Sequence, residues 1–277
     1  MATLQTQGIT LYYEVYGDRA KPPVLFVAGL GGTGKSWGAM VEGFGRDHFV
    51  ILPDQRGTGQ TTHAADGYST VQLAADMASL VEHLAVGPAH VVGASTGGAI
   101  GQWMALEHPQ TVRTLTLVAS FARFDAFTRR EFDLRRKLLA ESDSRSVYSC
   151  YALFLFSPRF AHEHPEHVEA WVEWVAAQPP SPAGREIALK RIDMIAAHDA
   201  LARLGSVRQP TLVVCGDQDF CTPLPLSEEL AGAIPGSELV VFPGAGHLIE
   251  HEQQEKLFQT ICRFVDRHSN GEGRGQS

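Results

Sequence analysis

Residues 93–98 read GASTGG and lie where an apolar run, AHVVG, passes into GGAIGQWMA, a segment of small residues. The junction predicts a buried strand followed directly by a helix. In that context the pattern G-x-S-x-G is typical of a sharp turn that lifts a serine hydroxyl above a sheet. Ser95 is therefore a candidate nucleophile, and the helix N-terminus behind it favours negative charge that develops beside the hydroxyl. Gly93 and Gly97 allow neighbouring backbone to pass close to this turn.

Strands and helices alternate along most of the chain. Short apolar runs bounded by proline or glycine predict buried strands, among them PPVLFVAG, HFVILPD, VRTLTLVAS, PTLVVCG and SELVVFPG. Residues 68–87 predict a helix that Ser69 and Gln72 begin as a capping box. The alternation predicts an α/β fold with a mostly parallel sheet and helices on both of its faces.

The alternation breaks between about residues 120 and 204, a segment that is rich in aromatic residues and arginines and reads as mostly helical. We therefore expect a core formed by residues 1–119 and 205–268 and a helical cap formed by residues 120–204. The polar, glycine-rich residues 269–277 are expected to form a flexible tail.

Composition argues against several classes of function. The 277-residue chain carries a formal net charge of −8, which disfavours nucleic acid as a partner. No apolar run approaches the roughly 18 residues of a membrane span, and the first ten residues lack the features of a signal peptide. The four cysteines are scattered rather than spaced as metal ligands, so we expect free thiols in the cytoplasm, with no metal and no cofactor.

A serine nucleophile needs a base, and the base needs a carboxylate that orients it. The segment VVCGDQDFCTP offers Asp217 and Asp219 after one predicted strand, and VVFPGAGHLIEHE offers His247 after the last. The chain order serine, acid, histidine is that of one class of hydrolases. Since parallel strands end at the same edge of a sheet, we expect these groups to meet there.

Residues 29–36, GLGGTGKS, also match the phosphate-loop pattern G-x-x-x-x-G-K-[ST] and follow an apolar run. This match favours a different function, nucleotide binding through backbone N–H groups and Lys35. The following segment, SWGAMVEGFG, holds three glycines and predicts only a short helix behind the phosphates. The nucleotide interpretation therefore stays as an outside alternative.

Four segments together, VAGLGGTGKSW, PDQRGTGQT, VVGASTGG and GDQDFCTP with GAGHLIEHE, resemble the α/β-hydrolase superfamily over nearly the whole chain. Within it, GLGGTGKSW, DQRGTG and TRREFDLRRKLL are similar to the group of 3-oxoadipate enol-lactonases and aminoacrylate hydrolases. The resemblance implies an eight-stranded, mostly parallel sheet with a helical cap. Residues 28–29 read AG where many members have HG, a variation that this group tolerates.

The resemblance also implies roles for the candidate residues. Ser95 is expected to be the nucleophile, and His247 the general base and then the general acid. Asp219 stands four residues before Pro223, which is the spacing of the acid in the family, and Asp217 is the alternative.

Other groups are expected to stabilise the transition state and to contact the substrate. The backbone N–H groups of Leu30 and Thr96 are expected to form the oxyanion hole. The predicted substrate contacts are Trp37, Phe121, Arg129, Arg130, Phe154 and Leu248. Arg129 and Arg130 resemble a pair in the same group, and one arginine buried near the site would bind a substrate carboxylate. A solvated helix face is the open alternative for the arginines, and the core of the cap itself for the aromatic residues.

Together these features predict a cofactor-free serine hydrolase in which Ser95 attacks a carbonyl and water hydrolyses the resulting acyl-enzyme. The resemblance implies a small organic acid derivative as substrate: an enol-lactone, an ester or an activated amide from a catabolic pathway. A second enzymatic interpretation assigns the same triad to C–C bond hydrolysis of a ring-cleavage product. We expect a small-molecule substrate, no nucleic-acid or membrane partner, and a homodimer as the default assembly.

Overall fold

The computed structural model describes residues 2–38, 40–178 and 180–269. Its sheet is formed by β1 Ala2–Thr6, β2 Ile9–Tyr16, β3 Pro23–Val27, β4 Phe49–Pro53, β5 Ala89–Ala94, β6 Val112–Val118, β7 Thr211–Gly216 and β8 Glu238–Phe242. The strand order is β1-β2-β4-β3-β5-β6-β7-β8. Strand β2 runs antiparallel to β1 and β4, and all other neighbours pair in parallel. The prediction of an eight-stranded, mostly parallel sheet is therefore confirmed.

Helices cover both faces of this sheet. They are α1 Met40–Gly45, α2 Thr70–Leu84, α3 Thr96–Glu107, α4 Ala126–Glu141, α5 Ser144–Leu155, α6 Pro158–Glu163, α7 Pro165–Ala176, α8 Pro182–Ala196, α9 Leu224–Ala233, α10 Ile249–Glu252 and α11 Gln254–Ser269. Short 3₁₀ helices lie at Gly34–Trp37, Pro109–Thr111 and Leu201–Ser206. Among the described helices, none is both long enough and apolar enough to cross a membrane.

Side chains alternate across β3, and the alternation divides the hydrophobic core. Val24 and Phe26 belong to the cluster that includes α1 and α11, whereas Leu25 and Val27 belong to the cluster that includes α2 and α3. All four side chains are buried, as expected for a central parallel strand. Burial on both faces holds the end of β3, and therefore the start of the following glycine loop, in one place.

Helix α2 begins where the sequence predicts. The hydroxyl of Ser69 accepts the N–H of Gln72 at 3.0 Å, which satisfies one of the free donors of the first turn. The side chain of Gln72 donates to Asp76 instead of completing the capping box. The helix ends at Leu84, because Ala85 adopts the left-handed conformation with φ 50°.

The helices α4 to α8 lie between β6 and β7, in the segment predicted to be a cap. They contact the loops that follow β4, β7 and β8, at the carboxyl edge of the sheet. The boundaries at residues 120 and 204 stay predictions, and the 3₁₀ helix Leu201–Ser206 spans the second of them. Of the predicted tail 269–277, Ser269 ends α11, and the remaining residues lie outside the described part of the chain.

Candidate active site

Ser95 lies at the turn between β5 and α3, with φ 51° and ψ −115°. A positive φ is unfavourable for any residue with a side chain and persists only where the surroundings enforce it. The surroundings here are the neighbouring strand: Ser95 N–H donates to Val118 O at 2.8 Å, and Ser120 Oγ donates to Ser95 O at 2.9 Å. Strand β6 and its continuation therefore hold the turn by both of its backbone polar groups.

The glycines around Ser95 are required by close backbone contacts. A Cβ atom on Gly97 would lie 2.0 Å from Val27 O, and one on Gly93 would lie 2.3 Å from Gly97 O. A Cβ atom on Gly98 would lie 2.4 Å from Ser120 Oγ. Helix α3 thus starts directly against the end of β3, which positions the loop after β3 beside the serine.

His247 and Asp219 form a buried pair. His247 Nδ1 lies 2.8 Å from Asp219 Oδ2, and the other carboxylate oxygen accepts the N–H groups of Cys221 and Thr222, each at 2.8 Å. The alternative acid, Asp217, is exposed and accepts the N–H of a turn glycine at 2.7 Å. The structure therefore brings Asp219 against His247 and leaves Asp217 in a structural role.

The pair and the Ser95 turn lie on one edge of the sheet, since they follow β5, β7 and β8. Thr222 Oγ1 connects the pair to the end of β6, the strand that holds the Ser95 turn: it lies 3.0 Å from Ala119 O and 3.2 Å from His247 Nδ1. Burial by itself lowers the pKa of His247, but the Asp219 carboxylate and the neighbouring Cys221 together outweigh burial, and the pKa is raised above its ordinary value. Burial also raises the pKa of Cys221, so its thiol is neutral at pH 7.

The loop after β3 runs beside Ser95. A Cβ atom on Gly29 would lie 3.6 Å from Ser95 Cβ. The N–H groups of Leu30 and Thr96, the two predicted oxyanion donors, form no hydrogen bond with another described residue. Both donors therefore remain free for a ligand, and the oxyanion role stays a prediction.

The same loop does not have the geometry of a phosphate site. The N–H of Gly34 already donates to the Asp54 carboxylate at 3.1 Å, so a negative group of the protein holds this part of the loop. The helix that follows is a four-residue 3₁₀ turn, and Lys35 on it is exposed. In the described residues we also find no group of three or more His, Cys, Asp or Glu side chains that could hold a metal ion. These contacts argue against the nucleotide alternative.

Two predicted substrate contacts, Trp37 and Phe121, have aromatic rings that pack in the hydrophobic core, and their contact with a substrate stays a prediction. Trp37 is 5% exposed and packs against Phe26 at 4.9 Å between ring centroids, in the cluster that includes α1 and α11. Phe121 is fully buried and packs against Phe124 at 4.8 Å. Phe154 and Leu248 differ, since both are partly buried, and Leu248 and His247 donate their N–H groups to Leu155 O. Their contact with a substrate stays a prediction.

Helix α4 buries one arginine, but it is neither of the two that the sequence analysis named. Arg129 and Arg130 are exposed, because they face away from the apolar stripe of the helix. The buried positions follow the helical period and are Thr128, Glu131, Phe132, Arg135 and Leu139. Arg135 is thus the buried arginine of α4. The three-residue and four-residue spacings of the buried positions are visible in the sequence and indicate that Arg135 faces the core.

Arg135 lies beside the His247–Asp219 pair. Its Nη1 lies 3.2 Å from Cys221 Sγ and 3.2 Å from Glu131 Oε1, and its guanidinium lies 4.0 Å from the centroid of the Tyr151 ring. Burial raises the pKa of Glu131 to about 7, against the opposing effect of Arg135. Arg135 Nε and Glu131 Oε2 are buried and have no hydrogen-bond partner among the described residues. Arg135 and Glu131 therefore each have a hydrogen-bonding atom that could bind a polar group next to the site.

A parallel α/β sheet with a serine at a strand-to-helix elbow and a buried acid–histidine pair at the same edge is the arrangement of a hydrolase. Residues 22–253 match the family model described as the alpha/beta hydrolase fold. The chain belongs to this family and is an enzyme of the hydrolase class.

Similar proteins carry hydrolase names. A relative from Azorhizobium caulinodans, assigned as carbamate hydrolase RutD, is 35% identical over 237 residues, which cover 86% of this chain and 88% of the relative. The structure of Est816, described as an N-acyl homoserine lactone degrading enzyme, has a TM-score of 0.82 at 26% identity and covers 95% of this chain and 100% of that one. The enol-lactonase from Burkholderia xenovorans LB400 has a TM-score of 0.85, with coverages of 96% and 100%. Its identity of 22% limits that likeness to the fold.

Proposed function

We propose that this hydrolase cleaves a small carboxylic acid derivative, an enol-lactone, an ester or an activated amide, through an acyl-enzyme on Ser95. The observation that carries the proposal is the 2.8 Å contact of His247 Nδ1 with Asp219 Oδ2, on the sheet edge that also holds the Ser95 elbow. This contact favours the tautomer in which Nε2 is free to accept a proton. A strained serine and an oriented base on one edge are what nucleophilic acyl transfer requires.

A residue of this chain can perform each step of the proposed reaction. Ser95 Oγ attacks the carbonyl carbon while His247 Nε2 takes the hydroxyl proton. The N–H groups of Leu30 and Thr96 stabilise the oxyanion, and His247 then gives the proton to the leaving oxygen or nitrogen. In the second half, His247 removes a proton from water, which attacks the acyl-enzyme and releases the acid product. The Asp219 carboxylate orients the imidazole and stabilises the imidazolium that forms in each half of the reaction.

The names of similar proteins support the type of bond. A carbamate, which the name of the Azorhizobium relative contains, and a lactone, which Est816 degrades, both hold a carbonyl carbon bonded to oxygen or nitrogen. Attack on such a carbon by a serine produces the acyl-enzyme of the proposed mechanism.

Arg135 supports a substrate that carries a carboxylate of its own. Its guanidinium is buried beside Cys221, in the loop that also carries the acid of the pair. A guanidinium binds carboxylates through charge-assisted hydrogen bonds, which are strong where water is excluded. Because the pKa of Glu131 is raised to about 7, that residue neutralises Arg135 only in part at neutral pH. We therefore assign to Arg135 the role expected of Arg129 or Arg130.

Loss of the Ser95 hydroxyl tests the reaction. We expect Ser95→Ala to lower kcat on aryl esters and lactones by about 10⁶, as loss of a serine nucleophile does elsewhere. The exposed Ser36→Ala serves as the control with unchanged turnover. Mass spectrometry of the wild-type enzyme with a slow ester should detect the acyl group on Ser95. Near-normal turnover by Ser95→Ala would refute the proposal, and C–C bond cleavage without an adduct would favour the alternative reaction.

A matched pair of substrates tests the role of Arg135. We expect the wild-type enzyme to prefer a monoester of a dicarboxylic acid over the corresponding diester. Arg135→Met should raise KM for the monoester by ten-fold or more, because each lost charged hydrogen bond is worth about 1.5–3 kcal/mol. The exposed Arg129→Met on the same helix should retain the preference. Equal loss of activity on both substrates would contradict a role in carboxylate binding.

We also propose a cytoplasmic location and a homodimer. The described structure leaves Cys150, Cys215, Cys221 and Cys262 as free thiols, which supports a reducing compartment. The homodimer rests on the frequency of two-fold assemblies among soluble enzymes. Sedimentation of the purified protein tests the assembly, and fractionation of cells that express it tests the location.

A further inference from the structure

Arg191 on α8 is buried without a carboxylate partner among the described residues. The side chain is 1% exposed, its Nη1 donates to Arg56 O at 2.6 Å, and its Nη2 donates to Gln55 Oε1 at 2.5 Å. Burial lowers the pKa of Arg191 to about 10, and only Tyr68 acts against that effect. A buried charge that lacks a counter-ion is unfavourable, whereas a neutral apolar side chain would fill the same space at lower cost. Packing alone therefore does not explain why an arginine occupies this position.

The partner of Arg191 leads to the proposed oxyanion loop. Gln55 is fully buried, and its Nε2 donates to Ala28 O at 2.6 Å. The orientation of this amide is unambiguous, because the guanidinium has only donors and must face the amide oxygen, while the Ala28 carbonyl must face the amide nitrogen. Ala28 is followed by Gly29 and then Leu30, whose N–H is a proposed oxyanion donor.

The Ala28 carbonyl also lies close to the elbow. A Cβ atom on Gly97, two residues after Ser95, would lie 2.7 Å from Ala28 O. The peptide that the Gln55 amide holds is therefore pressed against the first turn of α3. A small rotation of this peptide changes the direction in which the next residues of the loop point their N–H groups.

We propose that Arg191 is a positioning residue for the oxyanion hole, acting through Gln55 and the Ala28 carbonyl on the loop that carries Leu30. The inference rests on the proposed acyl-transfer function. The guanidinium polarises the Gln55 amide, which strengthens its bond to Ala28 O and holds the loop in the geometry that the transition state needs. Arg191 lies on α8, one of the inserted helices. The direction of the Leu30 N–H group therefore also depends on the contact between these helices and the core.

Gln55→Glu separates positioning from stability. The substituted side chain has nearly the same size and gives Arg191 a counter-ion, so we expect the melting temperature to be retained or raised. It removes the donor to Ala28 O, however, and leaves a carboxylate facing a carbonyl. We expect kcat to fall ten-fold to a hundred-fold with KM changed less than two-fold, because the displaced Leu30 N–H would contact the oxyanion only in the transition state. A trifluoromethyl ketone should bind more weakly by the same factor as kcat/KM.

Variants of the arginine complete the experiment. Arg191→Met should also lower kcat, and Arg191→Lys should recover part of the loss. The partly exposed Lys190→Met on the same helix should leave turnover unchanged. The inference is overturned if Gln55→Glu keeps full kcat, or if kcat and the melting temperature fall together in all variants with no recovery in Arg191→Lys. Turnover by Ser95→Ala would instead refute the acyl-enzyme, so the two failures are distinguishable.

Discussion

At the scale of single residues, the contact between His247 and Asp219 sets the pH range of the proposed base. Burial disfavours the charged imidazole, but Asp219 and Cys221 together outweigh burial, so the pKa of His247 is raised. In Asp219→Asn, burial loses its main opposing charge, so the pKa falls, and the amide favours the wrong tautomer. We expect kcat to fall by about 10⁴. The acidic limb of the kcat/KM profile should move to lower pH, because a lower pKa keeps the imidazole neutral in more acidic solution.

The neighbouring carboxylate provides the control for this prediction. Asp217 lies two residues away, is exposed and caps a turn, so Asp217→Asn should retain both kcat and the position of the acidic limb. Stopped assays from pH 5 to pH 9 with one ester measure both variants. A larger loss in Asp217→Asn than in Asp219→Asn would reverse the assignment of the acid.

The candidate triad could be recognised from motifs in the sequence, whereas the two buried arginines of the proposals stand in no motif. Ser95, Asp219 and His247 stand in motifs whose spacing is specific. Arg135 and Arg191 carry no motif, and their importance follows from a position inside the fold. For Arg135 the helical period would have indicated the buried face, whereas the link from Arg191 to the loop after β3 joins segments far apart in the chain.

At the scale of elements, the contact between β3 and α3 explains why the elbow segment contains so many glycines. A Cβ atom on Gly97 would lie 2.0 Å from Val27 O. The nearest atoms all belong to the backbone, so rotation of a side chain cannot relieve this clash. We expect Gly97→Ala to lower the free energy of unfolding by about 3 kcal/mol, as overpacking in a core does. Turnover should fall as well, because the displaced β3 end carries the proposed oxyanion loop.

A second helical glycine gives the opposite expectation. Gly232 on α9 is exposed, and a Cβ atom there would meet no atom within 4 Å. Gly232→Ala should raise the free energy of unfolding by up to about 1 kcal/mol, because alanine loses less backbone entropy in a helix. Urea unfolding monitored by circular dichroism compares the two variants, and destabilisation by Gly232→Ala would contradict this account of α9.

Element boundaries were predictable where local signals are strong. The strands follow from short apolar runs, and the start of α2 follows from the hydroxyl of Ser69. The sequence predicts the inserted segment only as mostly helical, whereas its described residues form the five helices α4 to α8. Four of these have a capping side chain that accepts an N–H of the first turn, and the caps are Asp125, Asp143, Ser157 and Ser181. Each cap is visible in the sequence, but such residues are common in loops as well, so the pattern alone does not divide the segment.

At the scale of the whole molecule, the mostly parallel sheet with helices on both faces followed from the alternation of strands and helices. The way in which the inserted helices meet the core did not. Those contacts join residues far apart in the chain, 86 positions between Arg135 and Cys221 and 136 positions between Arg191 and Gln55. They also depend on buried polar groups, which hydrophobic patterning does not report. Two buried histidines of the same kind, His90 and His198, connect other distant segments and make the stability of the molecule dependent on pH.

Burial lowers the pKa of His90 to about 3 and that of His198 to about 4. In the unfolded chain each imidazole takes up a proton near its ordinary pKa of about 6.5. Between pH 6.5 and the folded-state pKa, the unfolded state therefore binds more protons, and the free energy of unfolding falls as pH falls. The slope is at most about 1.4 kcal/mol per pH unit for each histidine.

His90 offers the sharper test of this pH dependence, because it joins β6 and α11 through Thr114 Oγ1 at 2.9 Å and Ser269 Oγ at 3.0 Å. We expect His90→Gln to lower the free energy of unfolding at pH 7.5 through lost contacts. The remaining stability should then decline less steeply from pH 6 to pH 4, by up to about 1.4 kcal/mol per pH unit. Urea unfolding at several pH values measures the slope, and the exposed His63→Gln should leave it unchanged. An unaltered slope in His90→Gln would mean that another group controls the acid sensitivity of the fold.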